Sequence, residues 1–219
     1  MLASTLPFFP VGVHVAVVDP GVGGGRKPVA LEGGDGRLYV GPDNGLLLIA
    51  AERLGGAVRS VEIVNTAYVL EPVSRTFHGR DVFSPVAAHL ALGVPLADLG
   101  PPIPPGELVR LEVPVAEVEE ERIRAVVLYV DRFGNVQLNL TRAELERAGI
   151  VPGTRVEVEV ASERYFAVGA RTFADVRPGD VVVYEDAYQN VALAINGGNA
   201  AAVLPARVGQ EIRLSRVAG

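Results

Sequence analysis

H-V-A-V-V-D-P, residues 14–20, is a short apolar run rich in β-branched residues that stops at an aspartate and a proline. A strand covered on both faces loses its apolar–polar alternation, so His14–Val18 reads as a buried parallel strand. Working outward, Arg37–Val40 is a second strand, which Asp43-Asn44-Gly45 turns into a helix over Leu46–Leu54. Val58–Val64 is a third strand. Asp81 to Leu92 fits a helix with Val82, Val86, His89 and Leu90 on one face and Gly93 ending it. Leu2–Leu6 reads as the end of a helix before Pro7-Phe8-Phe9-Pro10. Strands alternating with helices predict an α/β N-terminal domain over residues 1–105, a largely parallel sheet with flanking helices.

The run Gly100-Pro101-Pro102-Ile103-Pro104-Pro105-Gly106 cannot hold a regular helix or a central strand and reads as a linker. Residues 106–219 are mostly β. Strands are expected at Arg122–Val130, Val136–Leu138, Arg155–Val160, Tyr165–Ala170, Asp180–Tyr184, Val191–Ile195 and Glu211–Leu214, with one short helix at Arg142–Ala148. Many short strands with turn signals at Pro152-Gly153 and Pro178-Gly179 predict a small barrel or sandwich.

Composition narrows the function classes. The 219 residues have no cysteine and three histidines, which excludes thiolate chemistry and leaves little for a zinc site, so no metal is expected. A net charge of −6 argues against a nucleic-acid partner. The apolar runs Val15–Val18 and Ala125–Val130 are too short to span a bilayer, and no segment has the order of a signal peptide. A cytoplasmic protein acting on a small molecule is the expectation.

Three polar runs carry candidate chemistry. In D-P-G-V-G-G-G-R, 19–26, Asp19 stands where open α/β sheets place ligands, the glycines can wrap a small solute and Arg26 supplies a fixed charge. The plainer reading is a glycine-rich turn with an ion pair; no G-K-[ST] follows, so it is not a P-loop. In F-H-G-R-D, 77–81, His78 can titrate near neutral pH and Gly79 lets a ligand approach the backbone. The alternative there is that Asp81 caps the helix, with Arg80 solvated and His78 an ordinary polar side chain; His14 and His89 read that way. D-R-F-G-N, 131–135, offers Asp131 for a cationic group, Phe133 as a stacking surface and Asn135 for a base edge, or else is simply a β-turn.

Together the runs V-V-D-P-G-V-G, P-D-N-G, T-F-H-G-R-D-V-F-S-P-V-A-A-H-L and D-R-F-G-N-V-Q-L-N resemble the S-adenosylmethionine hydroxide adenosyltransferase family, which is related to the fluorinase and chlorinase. The resemblance runs in order from about Phe8 to Leu214. It implies an α/β domain, a β-barrel-like C-terminal domain and a homotrimer with active sites between subunits. It also implies attack of water-derived hydroxide on C5′ of S-adenosylmethionine, giving adenosine and methionine with no cofactor. The family's triad that positions or activates the water falls on Asp19, Arg26 and His78. Gly79 matches a halide-contacting serine of the fluorinase, which disfavours fluoride chemistry. Methionine and adenine contacts map to Asp131, Phe133 and Asn135, the adenine-stacking aromatic to Phe173, and the adenine edge to backbone near Gly197.

The resemblance is incomplete at two places. Ala187-Tyr188 replaces a serine followed by serine or arginine near the methionine carboxylate, leaving Tyr188 as the side chain at that position. Nothing in Met1–Gly12 matches the T-D-F-G strand and following helix with which the family usually opens, so that front unit is expected to be missing. Two other functions stay open on sequence: a non-catalytic protein that binds S-adenosylmethionine or adenosine, and a chlorinase-like halide transferase.

Overall fold

The protein is described over residues 2–217 by a computed structural model. The chain divides into two compact units, residues 1–112 and 113–219.

The first unit is built on a four-stranded sheet. Its strands are β1 (Val13–Val15), β2 (Pro28–Gly33), β3 (Leu38–Pro42) and β4 (Ala57–Glu62), in the order β1-β3-β2-β4. Only β1 and β3 run parallel; β2 pairs antiparallel with both β3 and β4. The expected largely parallel sheet is therefore corrected to a mixed one. The cause is the turn G-G-D-G-R at 33–37, where Gly36 takes φ +83° and Asp35 accepts the Arg37 N–H at 3.1 Å. So short a turn can return the chain only antiparallel.

Side chains alternate across this sheet with the strand period of two. Val29 and Leu31 pack beneath helices α1 (Leu2–Thr5) and α2 (Leu46–Glu52), while Ala30 faces Val61, Val86 and Leu90 on the side of α3 (Ser84–Ala91). The predicted helix from Asp81 begins instead as a π-helical turn, Gly79–Phe83, and becomes α-helical at Ser84. Pro85 has no N–H to give that first turn, and the Ser84 hydroxyl donates to the Gly79 carbonyl at 2.7 Å. β1 lies at the sheet edge with β3 as its one neighbour, so the expected buried strand through Val18 pairs only to Val15, and Val18 is 67% exposed.

The proline-rich run at 100–106 lies along the outer edge of β4 within this unit. Glu62 N–H donates to Pro101 O at 2.9 Å and Ile103 N–H to Ser60 O at 2.8 Å. Prolines suit such a position, since they leave no donor row facing outward.

The second unit is a closed barrel. Its strands are β5 (Glu117–Val118), β6 (Arg122–Val130), β7 (Val136–Leu138), β8 (Arg155–Val160), β9 (Glu163–Gly169), β10 (Val181–Glu185), β11 (Val191–Ile195) and β12 (Glu211–Arg216). The order β12-β8-β9-β10-β11-β7-β6 closes on itself because β12 also pairs with β6, from Glu211↔Val126 to Ser215↔Arg122; β5 adds to β6 outside the ring. R-V-E-V-E-V of β8 shows the logic: Val156, Val158 and Val160 are fully buried while the arginine and glutamates face out. Helix α4 (Arg142–Arg147) starts in a reciprocal cap, Thr141 and Glu144 each accepting the other's backbone N–H. A last short helix, α5 (Ala200–Val203), follows Asn199, whose side chain accepts the Ala202 N–H.

Candidate active site

In the first unit, Asp19, Arg26 and His78 come together. Arg26 grips both oxygens of Asp19, through Nε at 2.9 Å and through Nη2, and the same Nη2 lies 2.9 Å from His78 Nδ1. Asp19 and Arg26 are nearly buried, with side-chain exposures of 6% and 11%. The Phe83 ring supports both partners: the guanidinium carbon sits 5.2 Å from its centroid, and the imidazole meets it edge-on at 6.5 Å.

A guanidinium has donors only, so the nitrogen facing it must be an acceptor. His78 Nδ1 therefore carries a lone pair, and the neutral ring keeps its proton on Nε2. In this arrangement His78 presents an N–H rather than a base.

Glycine sets the loop geometry. Gly23 takes φ +75°, and a Cβ there would lie 2.5 Å from the Arg75 carbonyl oxygen. Only glycine lets the 19–26 loop press against the segment that ends in His78. Gly79 is different, since a Cβ would meet nothing closer than Val17 Cγ1 at 3.7 Å. Asp81, a helix cap in the alternative reading of this run, instead accepts the Ser74 N–H at 2.8 Å and the Arg80 side chain at 2.6 and 3.0 Å. Those bonds, the Arg80 guanidinium foremost, hold its carboxyl below the usual carboxylate range.

In the second unit, Asp131 and Asn135 border a cleft of about 160 Å³ whose walls also include Tyr129, Gln137, Tyr184, Asp186 and Tyr188. Asp131 shapes its own loop: its carboxylate accepts the N–H of Phe133 at 2.8 Å, the N–H of Asn135 at 2.9 Å and the Asn135 amide at 2.8 Å. The loop Asp186–Asn190 repeats this pattern, with Asp186 accepting Tyr188 N–H at 2.8 Å and Asn190 N–H at 3.0 Å. Both loops put an aromatic residue third and a left-handed residue fourth, Gly134 at φ +85° and Gln189 at φ +65°. Gln137 ties the loops together by donating to Asp186.

Tyr184, on β10, was not among the residues expected from sequence, nor were Asp186, Gln137 and Tyr129. Its hydroxyl is pushed up to about 12 by burial, then by the carboxylates of Asp186 and Asp131, so it stays a donor at neutral pH. A sequence signal existed in D-A-Y-Q-N, which repeats the spacing of D-R-F-G-N. The remaining expected residues lie outside the cleft walls. Phe133 is 61% exposed beside the Arg132 guanidinium, and the Phe173 ring packs 5.0 Å from Tyr184. Gly197 follows Asn196, whose amide donates to the Phe173 carbonyl at 3.1 Å.

Among the described residues no cluster of three or more metal-ligating side chains occurs, and no helix is long and apolar enough to cross a membrane.

A family model described as the SAM hydroxide adenosyltransferase N-terminal domain matches residues 1–100, and the corresponding C-terminal model matches residues 125–213. The chain is 51% identical to the (R)-S-adenosyl-L-methionine hydrolase of Salinispora arenicola across 98% of its own length and 79% of that protein. It is 38% identical to the protein of the same name from Thermus thermophilus, over 97% of this chain and 80% of that one. A fluorinase of Actinopolyspora mzabensis is 31% identical over 93% of this chain and 71% of its own. The crystal structure of an uncharacterized conserved protein from Thermotoga maritima superposes with a TM-score of 0.89 at 34% identity, covering 98% of this chain and 83% of that chain.

Proposed function

The chain belongs to the SAM hydroxide adenosyltransferase family, and on that premise we propose how its residues carry out the hydrolysis of S-adenosyl-L-methionine to adenosine and L-methionine. A water oxygen bonds to C5′ while the C5′–S bond breaks, its electron pair going to sulfur and the water's proton to solvent. The sulfonium leaves as a neutral thioether, so no acid is needed at sulfur and no further cofactor enters. What lowers the barrier is an aligned nucleophile, and alignment is worth roughly 7–11 kcal/mol.

Asp19, Arg26 and His78 supply that alignment in this reading. The observation that carries it is the Arg26 bridge, which occupies the His78 Nδ1 lone pair and both Asp19 oxygens. His78 is then left with an Nε2–H, suited to hold the oxygen of water or hydroxide in place and not to remove a proton. Gly79 keeps the backbone beside His78 open. The second-unit cleft takes the substrate itself: Asp131 and Asn135 with Tyr188 border it, while Phe133, Phe173 and Gly197 offer the surfaces for adenine. Carboxylates and tyrosines without a basic side chain on its walls favour a cationic group there.

In this reading the enzyme works in the cytoplasm as a homotrimer, with triad and cleft supplied by different subunits. Turnover in oxygen-18 water tests the chemistry. The label is expected in the 5′-hydroxyl of adenosine, and product free of label would rule out attack by water at C5′.

A further inference from the structure

The P-D-N-G turn at 42–45 joins β3 to α2 and has no part in the reading above. Two of its consecutive residues hold the chain on either side of the triad's ion pair. The Asn44 amide donates to Val18 O at 2.7 Å, one residue before Asp19. The Asp43 N–H donates to Lys27 O at 2.9 Å, one residue after Arg26.

The stretch between those anchors needs them. Residues 20–25 hold four glycines, at 21, 23, 24 and 25. Among the described residues only two turn bonds order the backbone within the loop, Val22 N–H to Asp19 O at 3.2 Å and Gly24 N–H to Gly21 O at 3.0 Å. The loop alone therefore constrains the orientation of Asp19 and Arg26 weakly. Its ends must be fixed from outside.

The turn that fixes them is rigid. Asp43 accepts the Val109 N–H at 2.9 Å, and Asn44 Oδ1 accepts the Leu46 N–H at 3.3 Å at the start of α2. A Cβ on Gly45, at φ +89°, would lie 2.5 Å from Leu111 Cγ, so the segment through Val109–Leu111 braces the turn from behind. Just before it, a Cβ on Gly41 would lie 2.3 Å from the Ala16 carbonyl oxygen, so the strand leading to Val18 runs in close contact with β3.

We propose that Asn44 is a positioning residue for the Asp19–Arg26 pair, registering the two chain segments that carry it through the carbonyl of Val18. This rests on the reading that Asp19, Arg26 and His78 align the water. Val18 is 67% exposed, so its carbonyl freed of the amide finds solvent, and stability changes little. The pair's orientation loosens, and misplacement on the scale of an ångström costs up to about 100-fold in rate.

Asn44→Asp in the full chain is the test, because it keeps the oxygen that accepts the Leu46 N–H and removes the donor to Val18. The expected result is a fall in kcat of about 10- to 100-fold, with KM for S-adenosylmethionine and the melting temperature nearly unchanged. The same change made in an Asp19→Asn background is expected to lower the residual rate by less than about 2-fold, because the pair it serves is already broken. An unchanged kcat, or an equal loss in both backgrounds, overturns the proposal. If Asn44→Asp fails to fold, Asn44→Ala is measured in the same two backgrounds against the same criteria. If Asp19→Asn alone leaves kcat intact, the water-alignment reading fails and the role of Asn44 falls with it; a damaged Asp19→Asn enzyme beside an intact Asn44→Asp enzyme removes only Asn44.

Discussion

Asp19 gives both its oxygens to another side chain, Arg26, whereas Asp131 and Asp186 give theirs largely to N–H groups of their own loops. The contrast separates two kinds of site building. A side-chain network has its charges fixed relative to one another, which is what a reacting water requires. A carboxylate bound to backbone fixes the course of the chain, and so the shape of a cleft. The first unit should therefore govern the rate of the chemical step, and the second the hold on substrate.

Subunit mixing puts the largest effect on this division. Asp19→Ala and Asn135→Ala variants are each expected to be inactive. Under the proposed homotrimer, exchange between them should restore part of the activity, because mixed trimers would regain some interfaces with both halves intact. An exchanged mixture that stays inactive places both halves of the site in one chain.

Point substitutions sharpen the contrast. His78→Ala is expected to lower kcat by about 10²–10⁴-fold with KM little changed. Tyr184→Phe removes a hydroxyl from the cleft wall it shares with Asp131 and Asp186 and should act chiefly on KM. Steady-state kinetics of the two variants decide it, and the same kinetic signature in both would dissolve the distinction between chemistry and binding.

The smallest expected effects compare the twin loops. Gly134 and Gln189 occupy the same left-handed position, but a Cβ on Gly134 would lie 2.1 Å from Asn199 Oδ1. Gly134→Ala should destabilise the protein by more than about 1 kcal/mol, combining backbone strain with that collision. Gln189→Gly should shift stability by less than about 1 kcal/mol, since relief of left-handed strain is offset by the added freedom of the unfolded chain and by the loss of the interaction the Gln189 side chain makes. Thermal melts of both variants read the difference, and equal shifts would show that the loops are packed alike.

The barrel was legible in sequence because its strands alternate: Val156, Val158 and Val160 point in while their neighbours point out. The first sheet was less so. Pro28–Gly33 is a central strand buried almost throughout, and such a run carries no alternation to announce it. Missing β2 hid the antiparallel hairpin and made the sheet read as parallel. At the site, motif residues Asp19, Arg26 and His78 were readable, but the pattern of their bonds was not, since Arg26 and His78 meet across 52 positions. Tyr184 and Gln137 escaped because their place depends on strand register, Gln137 lying opposite Ala192 on the next strand.

Closure of the barrel by β12 on β6 has a consequence for how the protein is made. The sheet of the first unit has all four strands by Glu62, so it can form while the rest of the chain is still being translated. β6 must wait for Glu211–Arg216 before its edge is covered. Through that interval a nascent chain on the ribosome carries a finished triad scaffold and an unsealed, aggregation-prone strand. Pausing during synthesis of the second unit would then lower the yield of soluble enzyme more than pausing within the first.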